Sequence, residues 1–193
     1  MLPLPGWARL LLAAVAVMGG ALLVNFSVRA HLASRHVDEA EAHLAWGRLD
    51  DSLASLETAR RLTPGDAEIH RQLGAIELNR YRLQGRAEAA DAATEAYLRA
   101  AELNPLDVDI KAELAWAWVQ LGRDEAAIHA FEAALDLDPY NVYLLTSLAE
   151  AQELMGRLEA AAASYRDALA VGDDGEIGAR LEALEERLAG NGD

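Results

Sequence analysis

The stretch from Pro105 to Pro139, Pro105-LDVDIKAELAWAWVQLGRDEAAIHAFEAALDLD-Pro139, decides the fold. Its two prolines stand 34 residues apart, and each closes a similar phrase: Ala100-Ala-Glu-Leu-Asn-Pro105 and Ala133-Ala-Leu-Asp-Leu-Asp-Pro139. Gly122 lies between them, and Gly156 follows after the same interval of 34. A fixed period of this length marks a helical repeat array, which is a surface for binding another protein more often than a site for chemistry.

Working outward from that frame, residues 108–141 and 142–175 form two units of 34, preceded by 67–107 and 33–66. Each unit reads as two amphipathic helices joined by a glycine turn, with apolar residues recurring at spacings of three and four. In 108–141 the first helix carries Leu114, Ala115, Trp118 and Leu121 on one face. Gly122-Arg123 makes the turn, since glycine accepts the left-handed conformation that ends a helix. Asp124 and Glu125 open the second helix at the positive end of its dipole, and Ala127, Phe131 and Ala134 form its packing stripe. The next unit repeats this with Leu148, Ala149, Gly156-Arg157, Ala161, Tyr165 and Ala168.

These residues closely resemble the tetratricopeptide repeat. The match is strongest over 108–141 and weaker over 67–107, which carries Leu73-Gly74, Tyr97, Ala100 and Pro105 but is seven residues longer around Leu83-Gln-Gly85-Arg-Ala-Glu-Ala. Unit 33–66 has Gly47, Ser52, Leu56, Ala59 and Pro64 in place, but Glu39 stands where the family has an apolar residue. The resemblance covers 30–175 and implies an all-α protein, an α-solenoid of about four helix hairpins. Residues 176–189 carry Ile177, Leu181, Leu184 and Leu188 at helical spacing and are expected to cap the last unit, with a disordered tail at 190–193.

Ahead of the array, after a tail at 1–6, residues 10–28 are a charge-free run of 19 between Arg9 and Arg29. As a helix this run measures about 28 Å, the thickness of a bilayer's hydrocarbon. With Trp7 and Arg29 at its boundaries, 7–29 reads as a single-pass anchor continuing directly into the first repeat helix. The rival is a signal peptide cleaved after Val28-Arg-Ala30. Arg9 against Arg29 and Arg35 nearly balance the positive-inside comparison; the expectation is a bacterial inner-membrane signal anchor with an extracytoplasmic array. Ala16, Gly19 and Gly20 offer a small-residue face to another membrane helix.

The net charge is −15, and residues 1–36 alone carry +3, so the remainder carries −18. Such an acidic domain repels nucleic acid and favours basic partner segments. The absence of cysteine excludes disulfides, thiolate catalysis and Cys-ligated zinc. The five histidines form no His-x-x-x-His pair, and no phosphate-cradling glycine loop or catalytic triad pattern occurs, so no catalytic, cofactor or metal site is expected.

The resemblance implies a concave face lined by the first helix of each unit. By spacing, the groove residues are Glu41, Leu44, Arg71, Ala75, Leu78, Asn79, Asp109, Ala112, Trp116, Val119, Tyr143, Thr146, Glu150 and Glu153. Trp116 lies roughly 200° around its helix from the packing residue Trp118 and is the sharpest candidate for a hot spot. An aromatic centre with acidic rims suits a basic or amphipathic segment. The clamp by which some relatives hold a C-terminal carboxylate is not matched: Val37, Glu41, Gln72, Asp109 and Glu113 stand at the equivalent places. The functional expectation is a membrane-tethered adaptor or scaffold that assists assembly of a bacterial envelope complex. The alternatives are a constitutive subunit of a membrane complex and a secreted binding module.

Overall fold

A computed structural model describes residues 6–172 and 175–190. The terminal tails, at 1–5 and 191–193, and the Asp173-Asp174 pair lie outside the described residues. Every element described is helical: α1 (Gly6–Ala45), α2 (Leu49–Leu62), α3 (Ala67–Gln84), α4 (Ala87–Leu103), α5 (Val108–Gln120), α6 (Asp124–Leu135), α7 (Val142–Leu154), α8 (Leu158–Val171) and α9 (Gly175–Gly190). The chain divides into two units, residues 1–69 and 70–193, described separately below.

The second unit stacks α3/α4, α5/α6 and α7/α8 as hairpins, with α9 packed on α8. Each hairpin closes where a small residue of the first helix meets an aromatic of the second. Ala115 and Phe131 are both fully buried, as are Ala149 and Tyr165. Gly74 takes this approach furthest: a Cβ there would lie 2.7 Å from the Tyr97 ring. Alanines one turn either side of the aromatic, Ala93 and Ala100, Ala127 and Ala134, Ala161 and Ala168, show no exposure at all.

The turns follow from local chemistry. Gly122 and Gly156 hold φ of 66° and 75°, and their helices end in Schellman geometry: Arg123 N–H donates to the Trp118 carbonyl at 2.9 Å, and Arg157 N–H to Gln152 at 2.8 Å. The proline loops are tied by a matched pair of caps. Asp107 accepts from Ile110 N–H at 3.0 Å and from the Asn104 side chain; Asn141 accepts from Leu144 N–H at 3.1 Å and donates to Asp138. The donor and the acceptor exchange places in the second loop, and the geometry is kept.

The long hairpin spreads its seven extra residues over both helices. From Leu73 to Gly85 is four residues more than from Leu114 to Gly122, and from Gly85 to Ala93 is three more than from Gly122 to Ala127. Each insertion is about one helical turn, so both packing faces stay in register while the hairpin reaches one turn further. Arg123 still pairs with Asp91 at 3.4 Å, as Arg157 in the next turn pairs with Glu125.

In the first unit α1 runs without a break for 40 residues, as its sequence predicts. Residues 14–28 are almost wholly exposed, and this is one helix long and apolar enough to cross a membrane. Further along, Ala33 and Ala40 are buried with Leu53, Leu56 and Ala59 of α2, and Ser52 donates to the Ala40 carbonyl at 2.8 Å. Glu39, the departure from the family pattern, is explained by its face. The equivalent Leu114 packs on the hairpin before it, with Leu78 and Tyr97. In α1 that face is open to water, and Glu39 bonds His36 there at 2.9 Å.

Gly74→Ala is expected to destabilise the fold by about 1–3 kcal/mol, because the methyl overpacks the Tyr97 ring. Gly178→Ala, in α9 with open space around it, should stabilise by about 0.5–1 kcal/mol. Denaturant unfolding of the two variants checks the opposite signs.

Candidate functional site

Trp116 of α5, Glu150, Glu153 and Leu154 of α7, and Arg180 and Arg187 of α9 line an open cavity of about 610 Å³. Trp116 is half-buried, its ring edge-on to Phe131 with centroids 5.7 Å apart. Leu154, the last residue of α7, is 72% exposed beside it. The register explains the placement: Trp116 follows the packing residue Ala115 as Glu150 follows Ala149 and Ala75 follows Gly74. These three positions form one row along the first helices.

The acids of this row are not free. Arg180 pairs with Glu150 and with Glu176, the latter at 3.1 Å, and Arg187 pairs with Glu153. The Tyr165 hydroxyl lies 3.5 Å from Glu153. Seven residues apart, Arg180 and Arg187 fall in one row along α9, roughly 60° around the helix from Ile177 and Leu184, which are buried against α8. The expectation for 176–189 is a cap alone, and Arg180, Arg187 and Leu154 are not among the expected site residues. The signal that was present is the seven-residue arginine spacing along the flank of the Ile177 and Leu184 stripe.

Other expected groove residues are distributed differently. Asp109 and Tyr143 are exposed, and Asn79, Val119 and Thr146 are half-buried, outside the cavity lining. Val119 packs against the cluster around Phe131. Glu41 and Leu44 are exposed on the first hairpin. Arg71 bonds Glu113 at 2.6 Å. Leu78 and Ala112 are buried, which corrects their assignment to the groove. Leu78 meets Leu114 and Ala117 of α5, and Ala112 meets Leu144 and Leu148 of α7. First helices of successive hairpins touch through these residues, so that flank never reaches the groove. On α1, Ala16 and Gly20 are exposed, and no atom lies within 4 Å of a Cβ built on Gly19 or Gly20.

A family model for the tetratricopeptide repeat matches residues 80–142 and 125–177, more than half of the chain. The chain belongs to the tetratricopeptide repeat family. No curated protein matches it. Among solved structures with this TPR fold, MamA from Desulfovibrio magneticus RS-1 is 16% identical with a TM-score of 0.65, covering 82% of this chain and 86% of its own. PilF from Pseudomonas aeruginosa is 16% identical with a TM-score of 0.65, covering 82% and 71%. YrrB, a TPR protein with an unusual peptide-binding site, is 16% identical with a TM-score of 0.63, covering 90% and 87%. At these identities the likeness is one of fold. TPR hairpins are in general protein-interaction modules.

Burial raises the Tyr97 phenol far above its ordinary value, with Glu113 adding to the shift and Arg71 opposing it. Burial likewise raises Tyr165, opposed by its hydrogen bond with Arg180. Both phenols hold their protons more tightly folded than unfolded. Their stabilisation is therefore complete below pH ~10 and is lost as the pH rises beyond it. Absorbance titration should show the Tyr97 phenolate appearing only as the helices melt. Trp116→Ala is expected to cost about 2 kcal/mol in denaturant unfolding, because it strips the cover from Phe131, whereas Trp116→Phe should cost well under half of that.

Proposed function

We propose that this protein is a membrane-tethered adaptor that holds a segment of a partner protein at the bacterial envelope and so assists assembly of a larger complex. The observation that carries this reading is the half-buried Trp116 beside the exposed Leu154, ringed by Glu150, Glu153, Arg180 and Arg187. An apolar anchor with a charged rim is the arrangement of an interface hot spot. The peptide-binding site of YrrB shows that this fold can take a peptide. The α9 arginines already answer the acids at this end, so an amphipathic segment led by an apolar side chain fits better than a purely basic one. Of the remaining expected groove residues, Arg71, Asn79, Asp109, Tyr143 and Thr146 would extend the contact along the first helices. Tethering by α1 raises the local concentration of partners at the membrane.

A second reading, a fixed subunit of a membrane complex, is favoured by one feature. The Ala16, Gly19 and Gly20 face meets nothing within the chain and is small enough for a close helix approach.

Affinity purification of the full chain from solubilised membranes is expected to recover a partner that Leu154→Glu releases at least tenfold and Trp116→Phe retains. Equal recovery with Leu154→Glu overturns the groove reading. Loss with Gly20→Leu alone assigns the contact to the membrane helix. The extracytoplasmic side of the array is read by labelling a single cysteine at position 64 in intact spheroplasts with an impermeant reagent.

A further inference from the structure

Arg29 is the first charge after the apolar run of α1, where a spanning helix leaves the hydrocarbon. Its guanidinium is also engaged elsewhere. Nε donates to the Leu62 carbonyl at 3.0 Å, and a terminal nitrogen donates to the Arg61 carbonyl at 3.0 Å. Both acceptors belong to the last turn of α2, where carbonyls lack helical partners and the dipole is negative. A single side chain thus marks the membrane boundary on α1 and closes the end of α2.

The two helices are fixed along their length by Ala33 and Ala40 against Leu53, Leu56 and Ala59. The height of α2 above the bilayer is therefore set by α1. We infer that the first hairpin stands on the membrane, with Leu62 and the loop Thr63-Pro64-Gly65-Asp66 resting on the phospholipid headgroups. The turn at Trp46-Gly47, which follows about 16 residues of helix beyond Arg29, stands roughly 24 Å further out. This rests on the retained anchor proposed above.

Charge supports the same placement. Arg29, Arg60 and Arg61 gather at the lower end against two acids, Glu57, which pairs with Arg60, and Asp66, whose carboxylate accepts from the Glu68 N–H. Asp38, Glu41, Asp50 and Asp51 lie toward the upper end, where Arg48 pairs with Asp51. Arginine near a headgroup layer bonds lipid phosphate, whereas the acidic remainder of the array is repelled by anionic lipid. Cleavage after Ala30 would remove the clamp from α2, so the hairpin is built for an uncleaved chain.

The chain has no cysteine, so single cysteines at exposed Pro64 and Trp46 can carry a fluorescent donor. The full chain is reconstituted into phosphatidylcholine–phosphatidylglycerol vesicles containing an acceptor-labelled headgroup lipid. Energy transfer is expected to be several-fold stronger from position 64 than from position 46. Equal transfer from a chain that resists carbonate extraction overturns the standing hairpin and leaves the anchor intact. A chain that carbonate extracts overturns both. With Arg29→Gln, a nitroxide at position 64 should become more mobile while membrane retention is unchanged; unaltered mobility overturns the clamp.

Discussion

The close approach of two helices within each hairpin is the constraint on which the rest depends. In the second unit it is made by a residue with almost no side chain on the first helix and a large flat one on the second. Gly74 under Tyr97, Ala115 with Phe131 and Ala149 with Tyr165 supply it three times. With the interior filled by those rings, the neighbouring alanines bring the backbones together, and the outer flank of each first helix is left to meet the next hairpin. Leu78 on Leu114, and Ala112 on Leu144, are that meeting. The row containing Ala75, Trp116 and Glu150 lies on neither of these packed flanks.

The last helix changes the character of that row. A cap needs only an apolar face, and Ile177 and Leu184 provide one. The arginines flanking that face cross to Glu150 and Glu153 and make α9 one wall of the cavity. The rim around Trp116 and Leu154 is therefore nearly neutral at this end of the array, although the chain as a whole carries −15.

Much of this was legible in the residues. The proline and glycine periods gave every hairpin, because left-handed turns and capped loops are local events: φ > 0 at Gly122 and the Asp107 cap need only a few neighbouring residues. The packing aromatics were legible too, since Phe131 and Tyr165 repeat in register. The misassigned groove residues fail for a physical reason. Angular position on an isolated helix separates the hairpin partner from everything else, yet it does not separate a neighbouring first helix from open solvent. Leu78 and Ala112 point to the former, and Trp116 is split between Phe131 and the cavity.

The sequence by itself determined the all-α repeat class, the long apolar helix that runs into the array and the stripe that closes each hairpin, because these depend on period, turn chemistry and composition. Only the tertiary structure decided which polar groups meet. Arg29 reaches carbonyls more than thirty residues away, and Arg180 and Arg187 reach acids about thirty residues before them. Such pairings carry no local signature: a long flexible side chain takes whatever acceptor the packed helices bring within its reach.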